Sequence, residues 1–371
     1  MGSLSTSTPS QSKITSSILL PWASGISGAT LGGCRAEVKG MRRRTIRLIA
    51  FITAALLWSD LATAGPLEDI ESGIKASRQG RHVEAIRLLG RAIASKRLAR
   101  ANLAVAHANR CLALTLTGRP GRAVPDCTQA ILLQPRLVEA HINRGMAWRR
   151  LGRYERAISD YGKALELRPG FTPAQVNRAY VFYRNDQLAA AAADYDAIVK
   201  GHPSLGQAHG GRGLVAFAAG RFAAAAEDFS QAAKFSPAEP LWPLWQHLAA
   251  RRQGGTSDLR AAARRLAPDR WPGPLYALYL GNVSAPTVLA RAGADDVTAR
   301  PERRCQALFF VAQYLLLGDH PKAATALLER LLEIRASDVC DHAAARYELA
   351  RLRPSEPKPA PRPTFETPVD R

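Results

Sequence analysis

Four prolines recur in this chain at a constant step of 34 residues: Pro135, Pro169, Pro203 and Pro237. Alanine, arginine and aspartate positions keep the same step over the same stretch. A period of this length is typical of stacked helix–turn–helix units, because a unit that cannot bury its apolar face alone must be covered by its neighbours. The repeat therefore predicts an all-α solenoid with a long concave surface, which usually binds other proteins and seldom carries out chemistry.

The repeat that begins at Val138 shows the recurring small, glycine and aromatic positions most clearly. These positions are Gly145, Trp148, Gly152, Tyr154, Ala157, Tyr161, Ala164 and Pro169. The repeat that follows has Asp186 where the others have a turn glycine. With this pattern the chain resembles the tetratricopeptide repeat family from Pro66 to about Leu352. The resemblance implies a right-handed superhelical solenoid of six such repeats, of which the first and the last are weaker.

Glycines and prolines are predicted to end the helices of each repeat. Gly118, Gly152 and Gly220 suit the left-handed residue that follows a first helix. Each repeat-ending proline lacks an N–H and stops the second helix. Pro125 lies several residues into a second helix, so we expect that helix to start late or to bend there.

The first 64 residues have the layout of an export signal behind a leader. Arginines directly after Met41 precede an apolar run over 48–57 and an Ala-Thr-Ala site, which predicts a signal peptide over 41–64 and cleavage before Gly65. We expect residues 1–40 to be a disordered leader or a mis-started extension. The predicted protein is thus exported and periplasmic. The alternative is a membrane-anchored assembly or secretion factor that keeps the apolar run.

The formal net charge of the chain is +20, part of which lies in the arginines of the predicted signal. The remainder favours acidic partners or anionic surfaces. A solvated basic exterior explains the same charge equally well. Nucleic acid is not an expected partner, because an exported chain without a recognised binding motif is a poor candidate for it.

Four cysteines fall at paired positions of the tetratricopeptide pattern. Cys111 and Cys127 occupy positions 8 and 24 of one repeat, on facing surfaces of its two helices. Cys305 opens the first helix of the last repeat, and Cys340 follows the matching second helix. We expect both pairs to form disulfides in an oxidising compartment. The alternative is four buried thiols that act as small apolar side chains.

Past Pro237 the constant step lapses. A Trp271-Pro272 pair before a short apolar helix, and the Arg304-Cys305 entry into a last repeat, resemble the end of bacterial NlpI-like tetratricopeptide proteins. This resemblance implies an envelope adaptor that brings proteases and cell-wall hydrolases together, often as a homodimer. Those relatives are lipoproteins with a cysteine just after the cleavage point, whereas this chain has glycine there, so a lipid anchor is not expected.

The sequence thus predicts three regions after the signal peptide. They are a repeat solenoid with a capping helix over 65–253, a helical region with a diverged repeat over 254–352, and a Pro-rich disordered tail over 353–371.

Motifs for catalysis or cofactor binding are absent from the sequence, so we expect neither an enzyme nor a cofactor. His107, His141 and His209 all fall at position 4 of a repeat, where the family prefers a bulky packing residue, so a structural role is favoured over metal binding. A third reading places hidden catalytic residues over 266–303, where the only paired carboxylates are Asp295 and Asp296.

Arginine at position 7 and aspartate at position 23 recur together in four consecutive repeats. The pairs are Arg110 with Asp126, Arg144 with Asp160, Arg178 with Asp194, and Arg212 with Asp228. Both positions lie at similar heights on the two helices of a repeat, which predicts a structural ion pair within each one.

The strongest candidates for peptide binding are Asn109, Asn143 and Asn177 at position 6 of the first helix. A side-chain amide offers a donor and an acceptor, so a ladder of them can hold an extended backbone, as it does in related tetratricopeptide proteins. The alternative is that these amides only solvate the groove. The ladder stops at Gly211. The groove neighbours at position 9, which favour an apolar or amphipathic segment, include Leu112, Met146 and Tyr180.

Overall fold

The protein is described here from a computed structural model that covers residues 65–296, 298–334 and 340–352. The regular elements of these residues are 17 α-helices and no strand, which confirms the all-α prediction. The predicted leader, signal peptide and Pro-rich tail lie outside the described residues, and the predicted region boundaries remain predictions.

The helices follow one another with short connections. They are α1 (Pro66–Arg78), α2 (His82–Ala94), α3 (Arg100–Leu116), α4 (Pro120–Leu133), α5 (Val138–Arg150), α6 (Tyr154–Leu167), α7 (Thr172–Arg184), α8 (Leu188–Gly201), α9 (Gly206–Ala218), α10 (Phe222–Phe235), α11 (Trp242–Arg252), α12 (Leu259–Ala263), α13 (Gly273–Tyr279), α14 (Ala285–Arg291), α15 (Pro301–Leu317), α16 (Pro321–Glu333) and α17 (His342–Leu352). Their contacts divide the chain into a first unit that ends at Asn143 and a second unit that begins at Arg144, with the boundary inside α5.

In the first unit, α1 packs against α2 and α3 against α4. Gly73 lets α1 and α2 approach closely, because a Cβ at this position would lie 2.8 Å from Cγ of Leu89. The apolar core between them includes Ile70, Leu88 and Ala92.

The helix α4 corrects one half of an expectation. It begins at Pro120, so it does not start late, and Pro125 lies inside it, while a bend at Pro125 stays a prediction. Proline is well tolerated at the first position of a helix, where its missing N–H has no intrahelical partner. The interior proline removes one further backbone hydrogen bond, and the helix continues to Leu133.

In the second unit, the small and aromatic positions of the repeat pack against each other. A Cβ at Gly145 would lie 2.9 Å from Cε1 of Tyr161, and a Cβ at Gly213 would lie 2.8 Å from Cε1 of Phe229. Because glycine has no side chain, the aromatic ring of the second helix can lie directly against the backbone of the first. The two helices of each of these repeats therefore pack close to each other.

The turns after the first helices adopt the left-handed backbone that the glycines predict. The φ angles of Gly118, Gly152 and Gly220 are +73°, +70° and +75°. Asp186, which replaces glycine in one repeat, has the same conformation at φ +62°. Aspartate is one of the few other residues that tolerate this region.

The C-terminal helices of the second unit share one apolar core with the repeats before them. Trp245 lies at its centre, with ring centroids 5.3 Å from Phe217, 4.9 Å from Phe309 and 5.4 Å from Phe310. The same core continues to Ala345 on α17. The last helix is therefore packed against the body of the second unit.

Candidate functional site

The three asparagines of the predicted ladder all donate hydrogen bonds to backbone carbonyls. Nδ2 of Asn109 donates to Val105 O at 2.8 Å, and Nδ2 of Asn143 donates to Ala108 O at 3.0 Å, both within the first unit. In the second unit, Nδ2 of Asn177 donates to the carbonyl of residue 173 at 2.7 Å. Each bond uses one of the two N–H groups that a side-chain amide carries.

Burial differs along the ladder and its neighbours. Asn143 is 5 % exposed and Asn177 is 3 % exposed, while Asn109 is half-buried. At position 9, Met146 and Tyr180 are buried and Leu112 is half-buried. These side chains therefore contribute to packing in this structure as well as to a surface.

The structure shows why the ladder stops at Gly211. A Cβ at this position would lie 2.2 Å from Cζ of Tyr195, so any side chain there would collide with that ring. Tyr195 is itself buried.

Each of the four predicted Arg–Asp pairs is joined by hydrogen bonds within its repeat. The shortest distances are 2.6 Å for Arg110 to Asp126, 2.8 Å for Arg144 to Asp160, 2.8 Å for Arg178 to Asp194 and 2.7 Å for Arg212 to Asp228. In all four, Nε and Nη2 of the arginine both donate to the carboxylate, which fixes the relative height of the two helices.

The surroundings of Asp126, the carboxylate of the first pair, shift its pKa. Burial would raise the pKa of Asp126, but hydrogen bonds from His107 and Arg110 lower it below its ordinary value. The neighbouring histidine, His107, contacts the same carboxylate through Nδ1 at 2.9 Å. Nε2 of both His141 and His209 lies 2.9 Å from a backbone carbonyl of the preceding loop. Each of the three histidines therefore has a contact within the protein that is consistent with a structural role.

Both predicted cysteine pairs lie at disulfide distance. The sulfurs of Cys111 and Cys127 are 2.07 Å apart, and those of Cys305 and Cys340 are 1.93 Å apart. The first pair joins the two helices of one repeat. The second pair joins Cys305 in α15 to Cys340, which lies two residues before the start of α17 at His342.

The sequence pattern does not indicate which helices the last helix, α17, packs against. α17 contacts α7 and α9, and its side chains also reach α11. α7 and α9 are the first helices of consecutive repeats, α11 is the helix that follows these repeats, and α17 crosses all three near their C-terminal ends. We call the surface formed by Tyr183, Phe217 and Arg252 on these helices the first-helix face.

The N-terminal end of α17 is held on α7 by two contacts. The hydroxyl of Tyr183 donates to the carboxylate of Asp341 at 2.9 Å, and the same carboxylate accepts the backbone N–H of Ala344. Burial, followed by the negative charge of Asp341, raises the pKa of Tyr183 well above its ordinary value, so the hydroxyl remains a donor. One turn later Nη2 of Arg346 donates to Asp186 at 2.8 Å and to Arg184 O at 3.2 Å.

The C-terminal end of α17 is held by a buried carboxylate. Glu348 is 1 % exposed and accepts from Nη1 of Arg252 at 2.8 Å and from Arg351. Arg351 also donates to the carbonyl oxygens of Phe217 and Ala218 at 2.6 Å. Cations at the C-terminal end of a helix satisfy carbonyls that have no partner within the helix.

Sequence reasoning missed this docking, although one signal pointed to it. Asp186 departs from the glycine of the other turns, and its carboxylate is what Arg346 binds. Among the residues that the structure describes, no group of three or more His, Cys, Asp or Glu side chains could hold a metal ion. No helix within the described ranges is both long and apolar enough to cross a membrane.

Comparisons with known proteins identify the repeats. Two family models, each described as tetratricopeptide repeat, match residues 138–171 and 176–240. A tetratricopeptide repeat protein from Parabacteroides merdae ATCC 43184 is 15 % identical over 77 % of this chain and 97 % of its own, with a TM-score of 0.49.

Two further solved structures are similar over about half of the chain. MamA from Desulfovibrio magneticus RS-1 is 22 % identical over 45 % of this chain and 92 % of its own, with a TM-score of 0.39. A thermophilic tetratricopeptide repeat protein from Thermus thermophilus is 16 % identical over 50 % of this chain and 98 % of its own, with a TM-score of 0.42. No functional conclusion follows from similarities this low. The family models show that residues 138–171 and 176–240 of this chain are tetratricopeptide repeats, which are typical of protein–protein interaction scaffolds.

Proposed function

We propose that this chain is a non-enzymatic adaptor of the bacterial envelope that binds segments of other proteins along the first helices of its repeats. The observation that carries the proposal is that the first-helix face of the second unit already holds a short helix, α17. A face that binds one helix through side-chain and backbone groups has the chemistry to bind another.

The asparagine ladder and the residues beside it are proposed as further contacts for a bound segment. Asn109, Asn143 and Asn177 each retain a second amide N–H and a carbonyl oxygen beyond the bond that the structure shows. Leu112, Met146 and Tyr180 lie at the neighbouring helical position and would pack against apolar side chains of the bound segment.

Two features support an extracytoplasmic location. The layout of residues 41–64 is that of a signal peptide. Two cysteine pairs at disulfide distance fit an oxidising compartment. Envelope proteases and cell-wall hydrolases are the proposed partners, and a homodimer is the proposed assembly, from the resemblance to NlpI-like proteins.

Affinity capture from envelope extract tests the adaptor function. The Asn109→Ala/Asn143→Ala/Asn177→Ala variant should recover less of the partner than the unmodified chain. Because two of these amides are buried and hydrogen-bonded, thermal unfolding must show that the variant remains folded under the capture conditions. A matched control removes three exposed amides: Gln129→Ala, Gln253→Ala and Asn282→Ala.

Equal recovery by the ladder variant and the control would exclude the asparagines as contacts. Recovery of no specific partner by any form would exclude the adaptor function. The N-terminal residue of the exported protein separates the adaptor from the anchored alternative, since Gly65 as the first residue excludes an uncleaved anchor.

A further inference from the structure

The second unit contains a buried arginine that forms no ion pair with any residue that the structure describes. Arg149, at the end of α5, is 3 % exposed, and among the described residues its Nε and Nη2 have no hydrogen-bond partner. A buried charge without a partner is costly, so an anionic group that reached Arg149 would supply a favourable partner.

The surroundings of Arg149 are rich in donors and contain aromatic rings. Its guanidinium carbon lies 5.5 Å from the centroid of the Tyr180 ring, and the guanidinium carbon of Arg184 lies 5.6 Å from the same centroid. Arg184 donates to the hydroxyl of Tyr180 at 2.7 Å. The hydroxyl of Tyr161 is also buried without a hydrogen-bond partner among the described residues. This cluster presents positive charge and hydroxyl donors, which is the chemistry that holds a carboxylate.

The buried position of Tyr161 is reflected in its acidity. Burial raises the pKa of Tyr161 to about 12, while the positive charge of the neighbouring Arg149 and its contact with the hydroxyl act in the opposite direction. The tyrosine therefore remains protonated near neutral pH and can donate to an anion.

The helix α17 shows which side chains this face recognises. Asp341, directly before α17, and Glu348 within it are seven residues apart, which corresponds to about 10 Å along a helix axis. Asp341 is bound by Tyr183 and Glu348 by Arg252. The face thus binds two acidic groups two turns apart, while the two arginines of α17, Arg346 and Arg351, donate to Asp186 and to backbone carbonyls. None of these contacts involves Arg149, which therefore remains available to a further acidic group.

We propose that the first-helix face of the second unit binds an acidic segment of a partner protein, which displaces α17 and places a carboxylate at Arg149. The inference rests on the proposed adaptor function and adds the chemistry of the partner. Arg184 and Arg149 are both buried while α17 is docked, and Arg346 of α17 donates to the carbonyl of Arg184. Because Arg184 and Arg149 lie against the same Tyr180 ring, the proposal expects departure of α17 from Arg184 to give the incoming segment access toward Arg149.

The probe for this proposal is a fluorescently labelled oligoglutamate peptide, with an oligoglutamine peptide of equal length as its neutral control. Fluorescence anisotropy should show binding of the first peptide and not of the second. Arg149→Gln should weaken oligoglutamate binding by about tenfold or more, as expected for the loss of a charge-assisted hydrogen bond. Arg153→Gln removes an equal charge from an exposed position and should leave binding unchanged.

Two further readouts separate a binding role of Arg149 from a structural one. Arg149→Gln should not lower the thermal stability, because it removes an unpaired buried charge. In the unmodified chain, oligoglutamate should speed up hydrogen–deuterium exchange of the backbone amides of α17. A structural role would instead give a lower unfolding temperature in Arg149→Gln.

Equal oligoglutamate binding by Arg149→Gln and Arg153→Gln would overturn the proposal, since the attraction would then come from net charge alone. Binding that leaves α17 exchange unchanged would overturn it as well. Failure to bind oligoglutamate, with partner capture still dependent on the asparagine ladder, would reject the acidic partner and leave the adaptor function standing. Loss of oligoglutamate binding together with loss of ladder-dependent partner capture would reject both the acidic partner and the adaptor function.

Discussion

The repeats over 172–235 and the helices over 242–352 are stabilised by contacts of different range. In the repeats, the ion pairs Arg178–Asp194 and Arg212–Asp228 join residues 16 positions apart. In the C-terminal region, Tyr183 and Asp341 are 158 positions apart and Arg346 and Asp186 are 160 apart. The repeats are held by local contacts that recur, whereas α17 is held by distant contacts that occur once. We therefore expect α17 to be released without unfolding of the repeats.

Glu348→Gln is expected to have the largest effect on the stability of α17 relative to that of the repeats. The change leaves the guanidinium groups of Arg252 and Arg351 beside a neutral amide, and breaking a buried ion pair costs about 3 kcal/mol or more. We expect fast hydrogen–deuterium exchange in α17 and little change in α7 and α9. Glu333→Gln at the exposed end of α16 is the control and should change neither. Uniform exchange changes across the second unit would mean that α17 and the repeats unfold together.

Removal of the second disulfide should have the next largest effect on the same helix. Cys305→Ser/Cys340→Ser opens a loop of 35 residues and is expected to cost about 3 kcal/mol. Cys111→Ser/Cys127→Ser, in the first unit, is the matched control with a loop of 16 residues and a similar cost. Only the first variant should increase exchange in α17. An increase of the same size in both variants would show that the disulfide next to α17 has no special role in its docking.

A third test concerns the close packing of the regular repeats. Gly211→Ala places a methyl group against the ring of Tyr195 and should lower the free energy of unfolding by about 1–3 kcal/mol. Gly162→Ala, in α6, is the control, because no atom lies within 4 Å of its Cβ position. That change should stabilise by up to about 1 kcal/mol through helix propensity. Chemical denaturation measures both, and effects of the same sign would contradict this account of the packing.

The smallest expected effect is that of pH on α17. Burial, aided by the positive charges of Arg184 and Arg346, lowers the pKa of His342 from 6.5 to about 4, while Asp341 acts in the opposite direction. The unfolded chain binds the proton more readily, so the stability is complete above pH about 6.5 and falls as the pH drops toward 4.

His342→Gln should remove this part of the pH dependence. Thermal unfolding of both forms at pH about 7 and about 5 measures it. A loss on acidification that is equal in both forms would assign the effect to other groups.

The regular repeats could be predicted from the sequence because their structure is determined by residues that recur. The turn glycines, the Arg–Asp positions and the paired cysteines at positions 8 and 24 each follow from one repeat and its neighbours. The region over 254–352 was also predicted to be helical, and His342–Leu352 forms its last helix in the structure.

The docking of α17 could not be predicted in the same way. It depends on Glu348 meeting Arg252 and on Arg351 meeting the carbonyls of Phe217 and Ala218, and no periodicity relates these residues. Burial of Asn143 and Asn177 was equally hidden, since position in a repeat indicates the direction of a side chain and not how much of it is covered.

Hydrogen–deuterium exchange of α17, with and without the partner captured from the envelope, tests the central claim most directly. If the first-helix face is the partner-binding surface, the amides of α17 are protected in the chain alone and exchange faster when the partner is bound. A bound partner that leaves the exchange of α17 unchanged would contradict the account, because the face would then still be occupied by the chain's own helix.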